Sequence, residues 1–221
     1  MLDGLDSIIQ QIYSGMTATD AAREQAYKLS REVVRAASAT IKHVHRGESD
    51  EALALLAETG RLTAHMLASV ADNPALRHTG FVIDSEKEYA EAAITVAAIQ
   101  GGPAPSPADL SVDETAWING LSEVVGEMRR HVLDLIRAGR ARDAEAYLAL
   151  MEDIYYHTMS FDFPNAVTAG LRNRTDAARG AIERTRGDLT LALQQAELAV
   201  RLDELRLNQP PADARGQVID R

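Results

Sequence analysis

Four glutamates are spaced so that two helices can present them in pairs. Glu88 and Glu91 stand three apart in SEKEYAEA, and Glu123 and Glu127 stand four apart in GLSEVVGEMRRH. On a helix, residues at these intervals project from adjacent turns on one side. Carboxylates brought together cannot all stay ionised without a cation among them, and hard oxygen donors select Mg²⁺, or Mn²⁺ in its place. Such an ion activates water and stabilises in-line displacement at phosphorus, so the chemistry to expect is metal-assisted cleavage of a phosphodiester. The chain holds 33 acidic residues, so pairs at helical spacing also arise as solvated surface glutamates. Spacing alone leaves both readings open.

Other constellations fail on spacing. A di-iron bundle needs Glu-x-x-His on two helices, whereas Glu127 and His131 are four apart. His43 and His45 are two apart and diverge on a helix, which puts His45 on the surface. No glycine-rich phosphate loop and no Ser-His-Asp context occurs. Cysteine is absent, which excludes disulfides and thiolate metal sites and fits a reducing compartment.

The elements that must position the glutamates are all helical. Nearly every long segment has a 3.6-residue period, and no strand run is visible. A short helix over 2–13 ends near Gly15, and Thr17 or Thr19 caps a long one to about Arg46, stopped by Gly47. Helices follow over 49–71, 85–100, 117–138 and 142–160, and Pro164 opens a last one to Leu207. GGPAPSP, Gly101 to Pro107, is a loop between helices. The expectation is an all-α bundle of about seven helices forming a single domain over 1–207, with a disordered tail over 208–221. In the 117–138 helix the apolar arc is centred on Leu121, with Glu123 nearly opposite and Glu127 on the flank. In the 85–100 helix Tyr89, Ala93 and Val96 face inward, and Glu88 and Glu91 lie off that face. Gly120, one turn before Glu123, lets another helix come close. No apolar run approaches the roughly 20 residues of a membrane helix, and the N-terminus lacks the basic stretch of a secretory signal. A cytoplasmic location is expected.

The formal net charge of −10 opposes nucleic-acid binding at long range, but the cations are not spread evenly. Lys28, Arg31, Arg35, Lys42 and Arg46 fall within roughly a 60° arc of one helix, opposite Leu29, Val33, Ile41 and Val44. They form a strip about 27 Å long, and Glu32 is rotated away from it. Phosphates of a flexible strand can track such a strip, although a solvated helix face has the same pattern and no aromatic residue alternates with the cations.

Taken together, these motifs resemble the translin/TRAX family. REQAYKLSREVVRAASATIKHVHRG, Arg23 to Gly47, is similar to its first long helix. EKEYAEA, Glu86 to Ala92, and GLSEVVGEMRRHVLDLI, Gly120 to Ile136, look like its two acidic motifs. MSFDFPNAVTAGLRNRTDAARGAIERTRGDLT, Met159 to Thr190, resembles its C-terminal helix region in an archaeal-type form. The match runs from about residue 17 to 205. The resemblance implies seven helices, a hollow homo-octamer and binding of single-stranded RNA or DNA on its inner surface. For the TRAX branch it implies Mg²⁺-dependent endoribonuclease activity. The acidic set maps onto Glu88, Glu91, Glu123 and Glu127 as catalytic and metal-binding residues. The nucleic-acid surface maps onto Arg23, Lys28, Arg31, Arg35, Lys42 and Arg46. One departure stands out: TRAX has aspartate where this chain has Glu123, and a displacement of about an ångström can cost about 10²-fold in rate. The rival readings are a translin-like binder without catalysis and a helical scaffold without nucleic acid.

Overall fold

The computed structural model describes residues 3–207. The helices run α1 Leu5–His45, α2 Ser49–Ser69, α3 Pro74–Arg77, α4 Gly80–Gln100, α5 Pro107–Leu110, α6 Glu114–Arg137, α7 Glu145–Met159, α8 Asn165–Thr168 and α9 Leu171–Leu207, with a 3₁₀ turn at Ala141–Ala144. The all-α expectation holds, and no strand occurs among the described residues. The tail expected over 208–221 lies outside them.

Two boundaries differ from the sequence reading. The helices expected over 2–13 and from Thr17 are one continuous α1 of 41 residues. Gly15 costs a helix interior only about 1 kcal/mol relative to alanine, too little to end it. Thr17 does not cap; its hydroxyl donates back to the Tyr13 carbonyl at 2.9 Å, inside the helix. Pro164 opens only the short α8. Ala169 (φ 48°) and Gly170 (φ 91°) then take the left-handed conformation, and the long last helix starts afresh at Leu171. Among the described residues there are six long helices, where about seven were expected.

α4 is the central element. It packs against α1 and α2 on one side and α6 on the other. Val82, Ala90, Ala92, Ile94 and Val96 are all buried, and so are Glu86, Lys87 and Glu91. The expectation that Glu91 lies off the core face is therefore corrected. A helix enclosed on several sides buries its polar positions too, and a single apolar arc does not describe it. One sub-core joins Ala26 and Leu29 of α1 to Met66 of α2 and Val82 of α4. The other joins Ile94 to Val124, Val125 and Met128 of α6, Met151 and Ile154 of α7, and Ile182 of α9. Each such aliphatic side chain stabilises by roughly 1.5–3 kcal/mol when fully buried.

α4 and α6 cross closely at Gly120. A Cβ there would lie 2.8 Å from the Lys87 carbonyl oxygen, 3.0 Å from the Glu91 amide nitrogen and 3.1 Å from the Ala90 Cβ. The buried Glu86 braces the same helix. Its carboxylate accepts from both Arg77 nitrogens at 2.8 and 2.9 Å and from the Asp113 amide at 3.1 Å, tying α3 and the start of α6 to α4.

Gly120→Ala is expected to destabilise the protein by about 1–3 kcal/mol, the usual range for overpacking, because the atoms it meets are backbone and cannot swing aside. Gly126→Ala, with nothing within 4 Å of the added carbon, is expected to stabilise by up to about 1 kcal/mol. Urea denaturation of the two variants checks the contrast; equal effects would show that the helix crossing does not depend on the missing side chain.

Candidate functional site

The crossing of α4 and α6 delivers the carboxylates. Glu88 and Glu91 come from α4, and Glu123 comes from α6 one turn beyond Gly120. One oxygen from each of these three lies within 4.8 Å of the others. Glu127, expected as the fourth member, stands outside that group. Its Oε2 lies 2.6 Å from Nε2 of His45 at the end of α1 and 3.8 Å from Arg130. The surface placement expected for His45 is corrected, since its side chain is only 1% exposed. It sits beside His131 at 6.1 Å, and burial and the neighbouring His45 hold His131 below the usual histidine range.

Two cations that the sequence reading did not assign to the site enter it. The Lys87 ammonium donates to Glu88 Oε1 at 2.9 Å and to Glu123 Oε2. Arg174, from the first turn of α9, donates from Nε to Glu123 Oε1 at 2.7 Å and from Nη1 to Asn119 Oδ1 at 3.1 Å and the Ala169 carbonyl at 3.0 Å. Asn119 in turn donates to the Thr168 carbonyl at 2.8 Å. Lys87 had a signal within EKEYAEA, as a lysine flanked by glutamates in a chain with three lysines. Arg174 had none, because only the packing of α9 on α6 brings it across 51 positions.

Glu91, Glu123 and Glu127 line an open cleft of about 470 Å³ with Ser122, Arg174 and three small residues of α9, Ala177, Ala178 and Ala181. The buried Ser122 hydroxyl has no hydrogen-bond partner among the described residues. Burial, aided by the charges of Glu88, Glu123 and Glu127, pushes Glu91 up from the ordinary 4.5 to about 8. Burial would also raise Glu123 and lower Lys87, but the hydrogen bonds among Glu123, Lys87 and Arg174 outweigh it. Glu123 is held below the carboxylate range and Lys87 above the usual lysine range.

The donor set fits a divalent cation. Three converging carboxylates, Glu88, Glu91 and Glu123, meet two fixed cations, Lys87 and Arg174, so with every acid ionised one negative charge stands uncompensated. Of the three, Glu91 is the one that burial and its carboxylate neighbours push towards the protonated form. All the donors are oxygens, which suit Mg²⁺ or Mn²⁺.

The strip on α1 is as expected in one respect and not in another. Arg23, Lys28, Arg31, Arg35, Lys42 and Arg46 are all exposed. Arg23 pairs with Glu24 at 2.6 Å, while the other five take part in no ion pair among the described residues. None of the six lines the carboxylate cleft. Within one chain the strip and the carboxylates are neighbouring surfaces, not one.

No protein-family model matches the chain. An uncharacterized protein of Methanocaldococcus jannaschii is 31% identical over 190 residues, covering 85% of this chain and 84% of that protein. The crystal structure of AfC3PO is similar at a TM-score of 0.79 and 31% identity, over 85% of this chain and 97% of that one. A structure of AfC3PO with duplex RNA matches at a TM-score of 0.74 and 31% identity, over 91% and 99% of the two chains. Apo-NeC3PO, at a TM-score of 0.75 and 18% identity over 87% of this chain and 98% of that one, shares the fold.

Glu91 makes stability depend on pH in a direction opposite to an ordinary ion-paired carboxylate. Its folded-state value lies above its unfolded one, so its contribution is full below about pH 4.5 and is lost as pH rises towards about 8. Thermal melts without divalent ions are expected to fall in Tm across that window, and Glu91→Gln is expected to flatten the fall. A wild-type profile already flat from pH 5 to 8 would mean that Glu91 is not a buried acid.

Proposed function

The chain belongs to the translin/TRAX family, of which C3PO is the complex, and we propose that it binds single-stranded RNA and cleaves it endonucleolytically with Mg²⁺. The observation that carries this reading is the convergence of Glu88, Glu91 and Glu123 from two helices on one point, where burial and the neighbouring carboxylates push Glu91 towards its protonated form.

Glu88, Glu91 and Glu123 would hold the metal, with Glu91 in its ionised form. Bound there, Mg²⁺ or Mn²⁺ supplies Lewis-acid neutralisation of the phosphate and a water of lowered pKa. Glu127, its Oε2 anchored by His45, keeps Oε1 to orient an attacking water and accept its proton. Arg174, fixed by Asn119 and the Ala169 carbonyl, sets a positive charge at the cleft wall for the phosphodiester. Lys28, Arg31, Arg35, Lys42 and Arg46 retain the strand by its phosphates; single-stranded DNA meets the same charges.

The duplex-RNA complex of the AfC3PO relative supports RNA as the ligand class. A homo-oligomer, with the octamer as the family's form, suits the long exposed apolar arms. Leu5, Ile8, Ile9, Ile12, Tyr13 and Met16 project from the start of α1, and Leu198, Leu202 and Leu205 from the end of α9. Assembly also offers a way to bring the strip of one subunit towards the carboxylates of another. One observation favours a second reading, a translin-like binder without catalysis: both oxygens of Glu123, the residue that stands for aspartate, are already held by Lys87 and Arg174.

Labelled single-stranded RNA separates the two readings. Cleavage with Mg²⁺ is expected, falling by about 10²-fold or more with EDTA and in Glu91→Ala and Glu123→Ala, while the RNA stays bound. Retention without cleavage in the wild type would select the binder; cleavage undiminished by EDTA would end the metal reading. In the same assay, Arg31→Ala with Arg35→Ala is expected to weaken binding and to reduce the slope of log K against log salt by roughly 0.7 for each charge removed. An unchanged slope would remove the α1 strip from the RNA surface.

A further inference from the structure

Lys87 is more than another charge at the cleft. Its side chain is 10% exposed, and a buried ammonium is tolerated only when it is paired. Its partners are two of the three converging carboxylates, Glu88 and Glu123. Each Glu123 oxygen already accepts from a cation, Oε2 from Lys87 and Oε1 from Arg174. A metal ion binding Glu123 therefore comes up against one of these like charges. Arg174 is held at two further points, where Nη1 donates to the Asn119 oxygen and to the Ala169 carbonyl. Lys87 has a flexible four-carbon stem, and its ammonium bonds only the two carboxylates among the described residues.

We propose that Lys87 is a built-in counter-ion of the carboxylate cluster: it occupies the cation's place while no metal is bound and is exchanged for the divalent ion when one enters. The inference rests on the metal-site reading above. Loading the site is then a swap of cations. The carboxylates of α4 and α6 stay assembled without metal, and the apparent affinity for metal is lowered because the ammonium must first leave. Lys87 is a positioning residue in this scheme, acting through Glu88 and Glu123.

The test uses the full chain and Mn²⁺ alone, followed by electron paramagnetic resonance. Lys87→Met is expected to bind Mn²⁺ at least tenfold more tightly than the wild type, with a lower metal-free Tm that Mn²⁺ restores. Removing one positive charge would tighten binding even without exchange, so the deciding measurement is made on the wild type. Amine acylation is followed by mass spectrometry at the three lysines. Lys87 is expected to react slowly without metal and at least fivefold faster at saturating Mn²⁺, while Lys28 and Lys42 keep their rates. If Mn²⁺ saturates the protein and the Lys87 rate is unchanged or slower, the exchange is overturned and the metal site stands. Mn²⁺ binding to Lys87→Met but not to the wild type overturns the exchange, because the ammonium then excludes the ion and does not leave. Mn²⁺ binding to neither overturns both this inference and the metal reading. Should Lys87→Met fail to fold, Lys87→Gln takes its place, and the acylation result decides without any variant.

Discussion

Everything at the candidate site depends on how closely α4 and α6 approach. At Gly120 the backbone of one helix lies directly against the backbone of the other, with no side chain as a spacer. That contact puts Glu123 within reach of Glu88 and Glu91, and it places the carbonyl of Lys87 under α6 while the Lys87 side chain meets Glu123. The geometry of the cleft therefore rests on this one crossing. An ordinary helix pair separated by larger side chains would leave these carboxylates as two unrelated surface pairs.

Close approach brings an electrostatic problem, and the chain answers it in layers. Glu86, fully buried, is given a bidentate arginine and a backbone amide. Burial raises its pKa, and Arg77 and the Asp113 amide pull the other way. Glu123 receives two cations, Glu127 receives His45, and Glu91 receives no cation of its own. Burial and its carboxylate neighbours thus push Glu91 towards its protonated form, and this identifies where the balance of charge is incomplete. Structural and chemical roles sit side by side in one seven-residue motif: Glu86 braces α3 and α6, Lys87 neutralises, and Glu88 and Glu91 converge with Glu123.

The helical class, the convergence of Glu88, Glu91 and Glu123 and the close approach at Gly120 were legible because they depend on local periodicity and on one residue's missing side chain. The break at Gly15 was misread because a single glycine weakens a helix without ending it. The burial of Glu91 was not legible, since an apolar arc presumes one packed face and α4 is packed on several. His45 and Arg174 were beyond reach for a different reason. Their partners are 82 and 51 positions away, and nothing local to HVHRG or NRT distinguishes a residue that will meet a distant carboxylate from one that meets water. The strip on α1 was read correctly as an exposed face, but its separation from the cleft is a property of the packing of the helices.

The α9 side of the cleft has a consequence of its own. Ala177, Ala178 and Ala181 form that wall, and Ala177 is exposed. Access to the carboxylates is thus bounded by methyl groups on a helix that contributes only Arg174 to the polar chemistry. The width of the opening and the chemistry at its base are therefore set by different residues. In an engineered or a naturally diverging version of this fold, the size of the group admitted can drift through these alanines while the carboxylates stay as they are.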